Sequence, residues 1–224
     1  MSTEPHVLST TAGDLPLEEY HLRLEGHAWR ILHTGAILSH EDEQRFLREE
    51  QQARVPYGIV LWPAAIALAH EIAARPLGGA RVLELGAGTG LPGIVAASLG
   101  ARVVQTDRQA VALFVCRKNA ERNGVTTIEH RSADWTAWED RDPYDYILGS
   151  DILYAENLHP HLCRIFEANL APGGKVLLAD PFRKTSFALL EAMEADGWTV
   201  SASKWTVGVK PPERSVAVFE LTRS

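Results

Sequence analysis

Cysteine is nearly absent from this chain: of 224 residues, only Cys116 and Cys163 carry thiols. Two cysteines make no disulfide framework and fit a reducing cytoplasm. Long apolar runs are missing as well. The longest extends from Gly58 to Ala69 and contains Pro63, far short of the roughly 20 residues that a membrane-spanning helix needs. The N-terminus has no apolar signal-like stretch and carries Glu4, Pro5 and Asp14 instead. Nor is there an excess of positive charge: 22 Lys and Arg stand against 29 Asp and Glu, for a formal net charge of −7. That balance argues against nucleic-acid phosphate as the main partner, because such proteins present a basic face. It permits a cationic substrate. Internal repeats and low-complexity segments are lacking too. What remains is an ordinary globular composition, 46% hydrophobic, in a chain long enough for one sizeable domain.

Against that background one segment stands out. Val82-Leu83-Glu84-Leu85-Gly86-Ala87-Gly88-Thr89-Gly90-Leu91-Pro92-Gly93 is a short apolar run that ends in a glycine-dense turn. A second apolar run closes on Asp107, twenty-one positions after Gly86. Strand, glycine turn, helix, strand and carboxylate, in that order, is how an open α/β sheet holds a nucleoside-containing cofactor. Gly88-x-Gly90-x-x-Gly93 matches the dinucleotide spacing. In that register, however, Pro92 falls inside the helix, where Pro is tolerated only in the first turn, so the helix starts near Leu91. A dinucleotide would also set its pyrophosphate close to Glu84, in a place where charges are poorly screened. S-adenosylmethionine brings a sulfonium and an ammonium instead. Glu84 suits those cations, the glycine N–H groups suit its carboxylate, and Asp107 suits its ribose hydroxyls. A purely structural turn is the third reading, against which the glycine density argues for close backbone approach.

The chain reads as follows. Residues 1–15 are polar and loose. His21–Leu24 and Trp29–Leu32 flank Glu25-Gly26 as a hairpin, and Ser39 caps a helix to about Gln52. Pro63 opens an Ala-rich helix to about Ala74. Strand–helix alternation follows, with strands at Arg81–Leu85, Arg102–Thr106, Val125–His130, Tyr144–Gly149 and, after a Pro172-Gly173-Gly174 turn, Lys175–Ala179. Helices are expected at Leu91–Leu99, Gln109–Arg122 with an Asn123-Gly124 cap, Leu158–Leu170 and Phe187–Ala195. Trp198–Val207 and Arg214–Leu221, joined by a loop holding Pro211-Pro212, make an antiparallel hairpin at the sheet's edge. The expected fold class is therefore α/β: a Rossmann-like, open, mostly parallel seven-stranded sheet with helices on both faces and a small N-terminal extension.

With Glu84-x-Gly86-x-Gly88-x-Gly90, Asp107, Asp134-Trp135 and Asp151-Ile152-Leu153-Tyr154 in order, the chain resembles the class I, seven-β-strand methyltransferases. More narrowly it is similar to the lysine methyltransferase subfamily with Trp-Pro before the first motif and Asp-x-x-Tyr after the fourth strand. The resemblance covers roughly residues 55–220 and implies an extension at 1–55 and a methyltransferase domain at 56–224. It implies that Glu84, Gly86, Ala87, Gly88 and Gly90 hold the methionine end of S-adenosylmethionine. Asp107 would hold the ribose, and Asp134 the adenine amino group with Trp135 beside it, while Trp62 and Ser150 touch the cofactor. Plainer roles stay open for several: Asp134, Ser150 and Asp151 as turn caps, Trp62, Trp135 and Tyr154 as packing.

Asp151 and Tyr154 lie past the carboxyl end of the fourth strand, where ligands of such sheets bind. Methyl transfer needs a lone pair held in line with an activated carbon. Asp151 is expected to orient an acceptor amine and Tyr154 to wall it, so both are assigned catalytic roles. The acceptor is expected to be a protein lysine; a small-molecule amine or pyridine nitrogen, and a non-catalytic cofactor-binding module, are the alternatives. Arg183 either meets substrate or pairs with Asp180. His159, His161 and Cys163 have spacings that scatter around a helix, and no metal site is expected.

Overall fold

The computed structural model describes residues 6–10, 13–24, 26–35, 57–208 and 213–223. Among them, β4 (Arg81–Leu85), β5 (Arg102–Asp107), β6 (Glu129–Ser132), β7 (Tyr144–Ser150), β8 (Leu170–Asp180), β9 (Trp198–Val207) and β10 (Arg214–Arg223) form one sheet. Its order is β6-β5-β4-β7-β8-β10-β9. The first five of these strands run parallel, and β10 is antiparallel to both β8 and β9. Helices α1 (Pro63–Ala73), α2 (Leu91–Ser98), α3 (Ala110–Arg122), α4 (His159–Asn169) and α5 (Lys184–Ala195) cover it. This is the Rossmann-like seven-stranded architecture expected from the alternation of strand and helix.

Strands covered on both faces read as nearly continuous apolar runs, as Val82-Leu83 and Leu85 in β4 and Ile147-Leu148-Gly149 in β7 do; Glu84 is the polar exception in β4. Alternate residues feed two cores. Val82, Leu148, Leu177 and Val218 join α1 and α2 on one side. Leu83, Ile147, Leu178 and Phe219 join α4 and α5 on the other. Helix α1 starts with Pro63 in its first turn, where the missing N–H costs nothing. Its Ala-rich sequence is buried nearly all round, as a helix wedged against a sheet requires.

Four boundaries depart from the expectation. The described part of residues 1–15 is strand: His6–Thr10 (β1) pairs with Gly13–Leu24 (β2), which pairs with His27–His33 (β3). Leu8 holds it by burying itself against Ile59, Ala112 and Val115. The third parallel strand starts at Glu129, because Val125 closes α3 instead. Its N–H reaches the Ala120 carbonyl at 2.9 Å past a left-handed Gly124, and its side chain is buried. Strand β8 starts at Leu170, which pairs with Tyr144; a register shift then loops out the Pro172-Gly173-Gly174 segment before Lys175 meets Tyr146. Helix α5 starts at Lys184. The expected Ser39 helix and the Pro211-Pro212 loop fall outside the described residues.

The N-terminal sheet is stitched to α3 by two asparagines four residues apart. Asn119 accepts the Leu32 N–H at 2.7 Å and donates to the Leu32 carbonyl at 3.0 Å. Asn123 makes the same two contacts with Arg30, each at 2.8 Å. Helix positions four apart and strand positions two apart repeat at similar distances, so side-chain amides stand in for a neighbouring strand along the β3 edge. Asn119 also donates to the Thr89 carbonyl at 2.8 Å, tying this extension to the glycine turn.

Candidate active site

From β4 the chain winds one way through β5 and β6, then crosses back to place β7 on the other side of β4. Such a switch point opens a crevice at the carboxyl ends of the strands. A cavity of about 480 Å³ lies there. Every parallel strand contributes to it: Gly86 and Gly88 after β4, Asp107 to Gln109 from the end of β5, Ala133 to Thr136 after β6, Ser150 to Ile152 and Tyr154 from the end of β7, and Arg183 after β8. Gly58 and Trp62 border it from the segment that leads into α1. The structure thus brings together Trp62, Gly86, Gly88, Asp107, Asp134, Trp135, Ser150, Asp151 and Tyr154 from the sequence-derived set.

Glu84, Ala87 and Gly90 are placed elsewhere. Glu84 is buried beneath the turn, on the same face of β4 as Val82. Its Oε2 accepts the Gly93 N–H at 3.1 Å and the Gln105 amide at 2.7 Å. Gln105 also donates to the Gly90 carbonyl at 2.9 Å, and the Cys116 thiol donates to the Gly88 carbonyl at 3.1 Å. Burial pushes the Glu84 carboxyl up to about 8, against hydrogen bonds from Gln105 and Gly93 that favour its anion. The picture of Glu84 lining the cavity opposite the sulfonium is therefore corrected: the carboxyl is buried beneath the turn and braces it, and burial favours its uncharged form. Two glycines exist for this brace. A Cβ on Gly93 would sit 2.4 Å from Glu84 Oε2, and Gly90 caps α2 in the left-handed region at φ 80°.

The carboxylates that border the cavity are Asp107, Asp134 and Asp151. Asp107 accepts the Gly88 N–H at 3.1 Å and the Gln109 N–H at 2.8 Å, which fixes its carboxylate at the strand end. Burial raises its pKa, and those N–H groups and Arg108 oppose the rise. Asp134 caps the short helical turn Trp135–Ala137 through the Thr136 N–H and hydroxyl, at 2.8 and 2.7 Å, contacts that hold it below the usual carboxylate range. Trp135 packs over Gly86 and Ile152.

Asp151 has a left-handed backbone at φ 60°, rare for a residue with a side chain and frequent at functional sites. It forms an ion pair with Arg183. Arg183 in turn binds Asp180, which is wholly buried. The sequence offered Asp180 or substrate as the Arg183 partner; the structure adds Asp151. Tyr154 stands half exposed beside them. Phe182, at φ 64°, is also exposed and lies near Phe187, the ring centroids 6.4 Å apart.

Sequence reasoning missed Gln105, Asn119, Arg108 and Gly58. Gln105 and Asn119 did leave a signal: each is a polar residue inside an otherwise buried face. Among the described residues no group of three or more His, Cys, Asp or Glu converges as a metal site, and no helix is long and apolar enough to cross a membrane.

Residues 41–192 match the family described as "Lysine methyltransferase". The chain is similar to Protein N-lysine methyltransferase METTL21A of Xenopus tropicalis, 37% identical over 55% of this chain and 60% of the relative. It is also similar to Histone-arginine methyltransferase METTL23 of Mus musculus, 37% identical over 48% of this chain and 46% of the relative. It thus spans between about half and 60% of the length of these relatives. Among solved structures, an O-methyltransferase from Bacillus cereus in complex with SAH superposes with a TM-score of 0.57 at 16% identity, covering 80% of this chain and 90% of that one. At that identity the likeness concerns the fold.

Proposed function

The chain belongs to the lysine methyltransferase family, and from that premise we propose that it transfers a methyl group from S-adenosylmethionine to a lysine amine on a protein. One observation carries the reading: Asp151 and Tyr154 border the same cavity as the glycine turn and Asp107. The cavity volume suits a ligand of this size, and the residues present fit its chemistry. Asp107 accepts from ribose hydroxyls, Asp134 from the adenine amino group, and Trp62 and Trp135 give flat apolar walls. Gly86 and Gly88 bring backbone close to the methionine end, and Ser150 supplies a hydroxyl. Glu84 acts one layer back by holding the N–H of Gly93 and, through Gln105, the carbonyl of Gly90.

When bound, S-adenosylmethionine supplies a methyl carbon already activated by a cationic sulfur. Positioning is then the main task left to the chain. Asp151 accepts hydrogen bonds from the amine and favours the positive charge that grows on nitrogen. Tyr154 walls the amine on the solvent side. The two free thiols, Cys116 and Cys163, fit a reducing compartment, and the reading places the enzyme in the cytoplasm.

The test is incubation of the purified protein with methyl-labelled cofactor and a cell extract, followed by hydrolysis of the labelled protein. The expected result is label in methyllysine. Label in methylarginine would move the acceptor to the guanidinium class, and label confined to small molecules would favour an amine or pyridine substrate. No transfer from a protein that still binds the cofactor would leave a binding module.

A further inference from the structure

An amine acceptor poses an electrostatic problem that the cavity must solve. Nitrogen attacks only as the neutral amine, yet a lone carboxylate beside it favours the ammonium and so holds the proton on. The titratable groups that line the cavity are Asp151 and Tyr154 after β7 and Arg183 after β8, with Asp107, Arg108 and Asp134 from the β5 and β6 side of β4. Arg183 forms an ion pair with Asp151. Its placement is fixed from behind. Asp180 accepts the Arg183 backbone N–H at 2.7 Å through Oδ1 and Nη1 at 2.8 Å through Oδ2. The other terminal nitrogen, Nη2, meets Asp151 Oδ1. One planar fork therefore bridges a wholly buried carboxylate and one that borders the cavity. A guanidinium keeps its charge across the working pH range, as an ammonium in its place need not.

We propose that Arg183 is a positioning residue of the acceptor site, whose guanidinium, anchored on Asp180, offsets the charge of Asp151 so that an amine entering beside it sheds its proton. The inference rests on the amine-acceptor reading above. The step balances as follows. The ammonium loses one proton to water, and the nitrogen lone pair forms a bond to the methyl carbon. The carbon–sulfur bond breaks with its electron pair moving to sulfur, leaving a thioether and a methylated ammonium. Asp151 keeps its hydrogen-bond role throughout, and Arg183 sets how strongly that carboxylate holds the proton on the incoming amine.

The experiment compares the wild type, Arg183→Lys, and the neutral pair Asp180→Asn with Arg183→Gln, which keeps hydrogen-bonding groups at both positions. Each is assayed with methyl-labelled cofactor in one cell extract, reading the protein band that the wild type labels. The range runs from about pH 6 to about pH 10, below and up to the ordinary value of a lysine amine. The neutral pair is expected to need roughly one pH unit more alkali, so that it is about tenfold slower near neutrality and recovers toward the wild-type rate at the alkaline end. Arg183→Lys, whose ammonium carries the charge at the lower end of that range, should show a rate ratio to wild type that stays constant between about pH 6 and about pH 8. Calorimetric affinity for the thioether form of the cofactor should stay within about twofold in all three. A folded neutral pair whose ratio to wild type is the same at every pH overturns the proposal, because a merely structural role gives that result. Should the pair not fold, Asp180→Asn alone keeps the Arg183 charge and removes an opposing anion. Its profile must then stay or move to lower pH, and a move to higher pH overturns the proposal. If the wild type labels no protein while binding the cofactor, the functional reading fails, and this inference falls with it.

Discussion

Beneath the glycine turn, Glu84, Gln105 and Cys116 are sealed from solvent and direct their polar atoms at Gly93, Gly90 and Gly88. At the mouth of the cavity the opposite holds. Asp151 and Phe182 keep left-handed backbones, Tyr154 and Phe182 are exposed, and charge is arranged across two strands by Arg183. The first region is a frame that fixes a shape regardless of what enters. The second carries strain and exposed aromatic surface, the features of a place that meets a partner. Under the proposed function, binding of the cofactor and choice of the acceptor are separated in space within one crevice, and the two should respond differently to substitution.

The sharpest way to break that comparison is at Asp151. Asp151→Ala should lower methyl transfer by roughly 10²- to 10³-fold, the scale on which removal of one charge-stabilising group acts. Calorimetric affinity for the thioether form of the cofactor should stay within about twofold. An equal loss in both measurements would merge the two regions into one.

The frame has its own signature in pH. Glu84 is raised from 4.5 to about 8 by burial, so between those values the folded chain binds a proton that the unfolded chain has released. Stability contributed by this group is complete below about pH 4.5 and is lost as pH rises through about 8. Chemical denaturation across that window should show the wild type losing on the order of a few kcal/mol, and Glu84→Gln losing less. A wild type whose stability rises over the same window would place a charged Glu84 in the folded state. Smaller again is Gly93→Ala, whose added Cβ would press on Glu84 Oε2 at 2.4 Å and Gln105 Nε2 at 2.6 Å. Overpacking of this kind costs about 2 kcal/mol, read as a fall in Tm with transfer chemistry retained below it.

What could be read in the residues follows the same division. Arg81–Leu85 and Tyr144–Ser150 are legible because strands buried on both faces must be nearly continuous apolar runs. The glycine turn and Asp107 are legible because their spacing is local. The direction of Glu84 is not: with apolar neighbours on both sides, alternation does not tell which face of the strand it takes. Val125 looks like a strand residue until α3 needs an apolar residue after Gly124 to close its last turn. The partnership of Arg183 with Asp151 joins the ends of two strands, and no short-range pattern announces it. Asn119 and Asn123 carry a four-residue spacing that marks one helix face, yet their partner strand lies about ninety residues earlier.

The central claim is that this cavity is a cofactor site whose ribose-binding group is Asp107. Isothermal calorimetry with S-adenosylmethionine and with its thioether product tests it directly. The account predicts measurable heat with both ligands in the wild type and an affinity at least about tenfold weaker in Asp107→Ala, the loss of a charge-assisted hydrogen-bonding group. Absence of heat from either ligand with the folded wild-type protein would contradict it.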